Sequence, residues 1–167
     1  MDIELYIALI SLILLGILTA PFLPSLSSSQ VDLNGYSPVE DIQTEENLLV
    51  FESGCYQLSM VVSRDQTESI QKGILNFTGS RPLTHDLFAS TLSELDAELE
   101  AVKIYGLMEG SYLAYLVIEE NGEIQRIDSR PSDAVALASR TRSPVYVNEE
   151  LLREAGEDTC ERGGKTL

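Results

Sequence analysis

Basic side chains are scarce in this chain: 11 Lys and Arg stand against 27 Asp and Glu over 167 residues, a formal net charge of -16 with its single histidine neutral. Such a surface repels phosphate backbones, so a broad basic face for nucleic acid is excluded and any dealing with a polyanion must rest on a local site. Cysteine is nearly missing too. Cys55 and Cys160 form no C-x-x-C pair and no Cys/His cluster, so neither a disulfide framework nor a zinc site of ordinary spacing is expected; Cys55 reads as a strand residue and Cys160 as a tail thiol. Internal repeats are absent. With 44% hydrophobic and 23% charged residues, the chain has the composition of a folded protein and the length of one modest domain.

Charge is lacking altogether between residues 5 and 26, and the run is almost purely apolar up to Leu18. About 20 apolar residues suit the hydrocarbon core of a bilayer, and the acidic start Met1-Asp2-Ile3-Glu4 is unlike the basic start of a cleaved signal peptide. Residues 1–26 therefore read as an uncleaved single-pass transmembrane anchor. No Lys or Arg occurs before Arg64, so the positive-inside rule gives no orientation. Easy transfer of a short acidic N-terminus favours a cytoplasmic body. Residues 27–47, rich in Ser, Pro, Asn, Asp and Glu, read as a polar tether, and residues 157–167 as a disordered tail.

The body, residues 48–156, alternates short strands with helices. Apolar residues 48–51 and the alternating Tyr56, Leu58, Met60 and Val62 predict a hairpin across Ser53-Gly54. Asp65 and Glu68 have capping-box spacing ahead of Ile70, Ile74 and Leu75. Thr84 is a candidate cap for a second helix carrying Phe88, Leu92 and Leu95, with Asp86 in its first turn. Asn121-Gly122 marks a tight hairpin between residues 112–118 and 123–127. Ala134, Val135, Leu137 and Ala138 then form a small-residue helix after Arg130-Pro131, with Ser129, Ser132 and Asp133 as capping candidates. Asn148 caps a last helix that stops at Gly156. Hairpins and helices without regular βαβ alternation predict an α+β fold, a mainly antiparallel sheet packed against helices.

Reactive side chains gather in two places, each where a loop feeds a helix: Arg81-Pro82-Leu83-Thr84-His85-Asp86-Leu87 and Asp128-Ser129-Arg130-Pro131-Ser132-Asp133. Helix N-termini favour phosphate, and Arg81 and Arg130 add forked donors, so Arg81, Thr84, Arg130 and Ser132 are candidate substrate-binding residues. Phosphodiester hydrolysis needs an activated water and stabilisation of developing negative charge. His85, Asp86, Asp128 and Asp133 are the candidate catalytic residues, and the three aspartates the candidate ligands of Mg or Mn. The same residues also admit a purely structural account, in which Asp86 opposes a helix dipole, Asp128 pairs with Arg130, and Ser132 and Asp133 cap. Tyr105, Tyr112 and Tyr115 are read as core or cross-strand pairs before they are read as base-stacking residues.

R-P-L-T-H-D-L at residues 81–87 and I-D-S-R-P-S-D-A-V-A-L-A at residues 127–138 resemble the two signature stretches of the bifunctional nuclease domain family. The likeness continues through P-V-Y-V at residues 144–147 and E-E-L-L-R-E-A-G at residues 149–156. Residues 55–65 are more polar than the usual start of the family's domain. The resemblance implies an α+β fold, self-association into a homo-oligomer and cleavage of DNA or RNA, without naming catalytic residues. A membrane-tethered, metal-assisted nuclease is thus the expectation. Its rival is a non-catalytic module that self-associates or binds a partner at the membrane.

Overall fold

The computed structural model describes residues 31–160, so the expected anchor at residues 1–26 lies outside the described residues. Among the described residues no helix is long and apolar enough to cross a membrane. Nine strands and four helices follow one another in the described chain: β1 (Tyr36–Pro38), β2 (Asp41–Glu45), β3 (Leu48–Ser53), β4 (Tyr56–Val61), α1 (Arg64–Ile74), α2 (Thr84–Glu94), β5 (Ala97–Met108), β6 (Ser111–Glu120), β7 (Glu123–Ser129), α3 (Pro131–Thr141), β8 (Val145–Asn148), α4 (Glu149–Ala155) and β9 (Glu157–Asp158). The expected α+β class holds.

Two sheets share the strands, one ordered β1-β8-β5-β6-β7 and the other β2-β3-β4-β9. All neighbours are antiparallel except β5 and β8, which run parallel across the connection that contains α3. The chain passes between sheets at residues 38–41, where the Val39 amide donates to Val145, the Glu40 amide to Glu52, and the buried Ser53 hydroxyl to the Pro38 carbonyl. A tether was expected here. Instead Tyr36–Pro38 and Asp41–Glu45 are strands: β1 zips onto β8 and β2 onto β3 in full register, satisfying backbone groups that their sparse apolar content gave no reason to place in a sheet.

The core lies where α3 presses on β5 and β6. Val102, Ile104, Ala114, Leu116 and Ile118 from the sheet meet Ala134, Val135, Leu137 and Ala138 from the helix, and the three alanines of that helix let it approach closely. Phe51, Leu58 and Ile70 extend the core toward the second sheet. Helix α1 packs along α3, and Gly73 makes that possible: a Cβ there would sit 2.7 Å from the Ser139 Cβ.

The β3–β4 turn and the last described residue are joined covalently. Cys55 and Cys160 form a disulfide, although no pairing was expected from their spacing; β9 runs beside β4 and brings Cys160 back to the β3–β4 turn. The stretch from 157 to 160 is therefore held to the sheet and is not a tail.

Candidate active site

Helix α1 starts at a capping box, but two residues earlier than the Asp65/Glu68 spacing suggested. The Ser63 amide donates to Gln66 Oε1 at 2.7 Å, and the Gln66 amide to Ser63 Oγ at 3.4 Å. Gln66 has a second task. Its Nε2 donates to Ser132 Oγ at 2.7 Å, which ties the first turn of α1 to the first turn of α3. Ser132 is 4% exposed, so the expected substrate-binding hydroxyl is a buried fastener. Helix α3 has no side-chain cap; Arg130 is its N-cap residue and Pro131, whose missing N–H costs nothing there, fills the first turn. Likewise Thr84 lies inside α2, exposed, and Leu83 precedes the helix with its amide donating to Asp86 Oδ2 at 2.8 Å.

Asp86 and Arg140 form the central ion pair of this helix cluster, joined through the arginine Nε, with side chains only 14% and 8% exposed. Arg140 Nη1 also donates to the carbonyls of Ser69 and Ala136, so one guanidinium joins α1, α2 and α3. The Arg140 hydrogen bond holds the Asp86 carboxyl below its ordinary range despite burial. A cavity of about 210 Å³ opens beside this pair, lined in part by Lys72, Phe77 and Ser90.

His85, also on α2, links the same three helices through other side chains. Its Nδ1 lies 3.0 Å from Ser69 Oγ on α1, and its Nε2 lies 3.6 Å from Asp133 Oδ1 in the first turn of α3. The latter is an electrostatic contact rather than a hydrogen bond. Asp133 is held from its other side by Arg130, whose Nε and Nη2 reach its two oxygens at 2.7 and 3.2 Å. Burial, then the nearby Arg140 charge, lowers the His85 pKa against the opposing pull of Asp133, so the ring is neutral at pH 7. A neutral imidazole has one N–H and one lone pair. A carboxylate only accepts, so the nitrogen facing Asp133 carries the proton and Nδ1 offers its lone pair to the Ser69 hydroxyl. His85 and Asp133 side chains are 20% and 33% exposed, which leaves solvent a path to them.

The two signature stretches thus meet, through His85 and Asp133, and Arg130 stands exposed at the rim. Asp128 does not join them. It is the direct partner of Tyr115 in the β6–β7 ladder, and Tyr115 lies on the sheet face opposite Leu116 and α3. That face carries the Tyr105–Tyr115 ring pair, with centroids 5.4 Å apart, and Lys103, buried over the Tyr36 ring at 3.6 Å. Burial foremost pushes the Tyr36 phenol up to about 12. Arg81 is exposed in the loop before α2 and has no ion pair among the described residues.

The three aspartates expected to hold Mg or Mn are not gathered in one place. Both Asp86 oxygens are engaged by Arg140 and Leu83, Asp133 is forked by Arg130, and Asp128 is across the sheet. Among the described residues no three His, Cys, Asp or Glu side chains come together to hold an ion. Ser69, Gln66 and Arg140 were not singled out from the sequence. Each sits inside a helix, where a lone polar residue gives no local sign of what tertiary packing brings to it.

A model of the bifunctional nuclease domain matches residues 48–159. Two proteins of Mycobacterium tuberculosis strains, both described as uncharacterized, are 34% identical to the chain over 119 residues, covering 71% of this chain and 71% of each of them. Bifunctional nuclease 1 of Arabidopsis thaliana is 25% identical over 109 residues, 64% of this chain and 34% of the plant protein.

Proposed function

Since the chain belongs to the bifunctional nuclease domain family, we propose that it hydrolyses phosphodiester bonds of DNA or RNA at the partly exposed place where His85 meets Asp133. The observation that carries this reading is a neutral, partly exposed imidazole held between a hydroxyl and a carboxylate, with an exposed guanidinium beside it. In this reading His85 moves the proton, Asp133 sets the tautomer and supports the imidazolium that forms, and Arg130 receives the phosphate. Arg130 grips Asp133 in this structure. When its fork turns to phosphate oxygens, Asp133 is released to close the remaining gap to His85. Arg81 in the loop before α2 and Thr84 in its first turn, both exposed, give the polyanion a local welcome that the net charge of the molecule denies elsewhere.

The test is cleavage of single- and double-stranded DNA and RNA by the full chain, with chelator and with Mg or Mn, beside His85→Ala and Arg130→Ala. Loss of about 10²-fold or more in His85→Ala is the expected result for a proton-transfer group. Equal trace cleavage by wild type and His85→Ala would mark contamination and sink the enzyme reading.

We further propose that residues 5–26 tether this domain to a membrane, an inference supported by their uncharged, apolar character. The Cys55–Cys160 bridge favours a body on the oxidising side of that membrane over the cytoplasmic placement expected from the acidic N-terminus. Thiol labelling of freshly isolated cells, with and without reductant, decides between them. The apolar Leu83, Leu87 and Leu95, each at least 47% exposed on or beside α2, support a homo-oligomer in which this helix is covered.

A further inference from the structure

We propose that Ser69 is the nucleophile of a Ser69–His85–Asp133 relay, and that cleavage passes through a phosphoryl-serine intermediate; this rests on the phosphodiester reading above. Three residues from three helices make the arrangement: the Ser69 hydroxyl on α1 lies 3.0 Å from His85 Nδ1 on α2, and His85 Nε2 faces Asp133 on α3 at 3.6 Å. A nucleophile within hydrogen-bond reach of a base, and the base oriented by a third group, is the constellation that activates a hydroxyl.

The tautomer decides the direction of the relay. With the Nε2 proton directed at Asp133, Nδ1 is an acceptor, and the Ser69 hydroxyl is its donor. An imidazole donating to Ser69 instead would aim a lone pair at a carboxylate. Ser69 is half-buried and has no other side-chain partner among the described residues, unlike Ser139, whose hydroxyl is spent on the Val135 carbonyl, and Ser132, which is held by Gln66. Its backbone is fixed as well, because Arg140 Nη1 grips the Ser69 carbonyl at 3.1 Å.

The step balances without an added reagent. Ser69 Oγ bonds to phosphorus while its proton passes to Nδ1; the bond from phosphorus to one ester oxygen breaks, and that oxygen takes the proton from His85. Water then attacks phosphorus, gives its proton to Nδ1, and the serine oxygen leaves and is reprotonated. Arg130, released from Asp133, faces the charge that builds on the non-bridging oxygens.

The probe is diisopropyl fluorophosphate, applied to the full chain and located by peptide mass spectrometry, with nucleic-acid cleavage measured on the same samples. The expected result is a single adduct on Ser69, slowed at least about 10²-fold in His85→Ala, and cleavage lost in Ser69→Ala at unchanged melting temperature. An adduct elsewhere, no adduct, or full cleavage by Ser69→Ala overturns the nucleophile. Adduct formation on Ser69 in a protein that cleaves no nucleic acid would leave the relay standing and remove the nuclease reading; cleavage that needs His85 but not Ser69 would do the reverse.

Discussion

His85 titrates under opposing influences, of which burial and a positive neighbour prevail over the carboxylates. Its folded-state pKa lies below the ordinary 6.5 because burial and the Arg140 charge disfavour the imidazolium. The base is therefore already active at neutral pH, and the acidic limb of the pH–rate profile is expected to have its midpoint below 6.5. A midpoint above that value would contradict the assignment. The same shift has a stability sign: the unfolded chain binds this proton more readily, so the contribution is full above pH 6.5 and drains away as pH falls toward the lowered value. The difference in melting temperature between wild type and His85→Gln should be constant above that range and change only on the acid side. At the neighbouring position, Asp86→Asn strands the Arg140 guanidinium and should cost about 3–5 kcal/mol in a denaturant titration. His85, Asp133 and Arg130 were legible as reactive types at helix starts. Asp128 was misjudged because its neighbour in sequence, Ile127, and not Asp128 itself, points to the helix side; strand alternation reverses sides at every residue, and the register needed to apply it was not in the sequence.

Among the elements, the junction of α1 and α3 depends on one missing methyl. Gly73→Ala gains helix propensity of up to about 1 kcal/mol. The new Cβ would meet the Ser139 Cβ at 2.7 Å and Arg140 Nη1 at 3.1 Å, and both belong to a packed helix. Overpacking should win, with a net loss of about 1–2 kcal/mol and, because α1 carries Ser69, a fall in cleavage rate larger than the stability change explains. Equal or greater stability of the variant by urea unfolding would show that the helices can part freely. Helices and long hairpins were readable because their apolar periods and the Asn121-Gly122 turn, with φ of 55° and 85°, are local signals. Strands β1, β2 and β9 were not. The first two span three and five residues with no fully buried side chain, and β9 has only two residues, so their existence depends on pairing partners that local sequence does not reveal.

Across the whole molecule, charge and cross-linking set the conditions for function. With a net charge of -16, binding of single-stranded RNA should be weak and should depend on few phosphate contacts, so a shallow slope of log affinity against log salt is expected in a fluorescence titration. A steep slope would demand a basic surface that this chain does not have. The disulfide spans a sequence separation of 105 residues, and its removal in a Cys55→Ser, Cys160→Ser double variant should lower unfolding free energy by about 2–5 kcal/mol, read from urea midpoints. Spacing revealed nothing of this bridge, since cysteines so far apart in sequence meet only when the stretch after α4 comes back beside β4.

That return also governs how the protein would survive damage. The stretch from 74 to 84 is exposed throughout and holds Phe77, a ready target for chymotrypsin, between the linked cysteines in the chain. A single cut there severs the backbone between Ser69 and His85, yet the pieces stay joined through sulfur and migrate as one species until reductant is added.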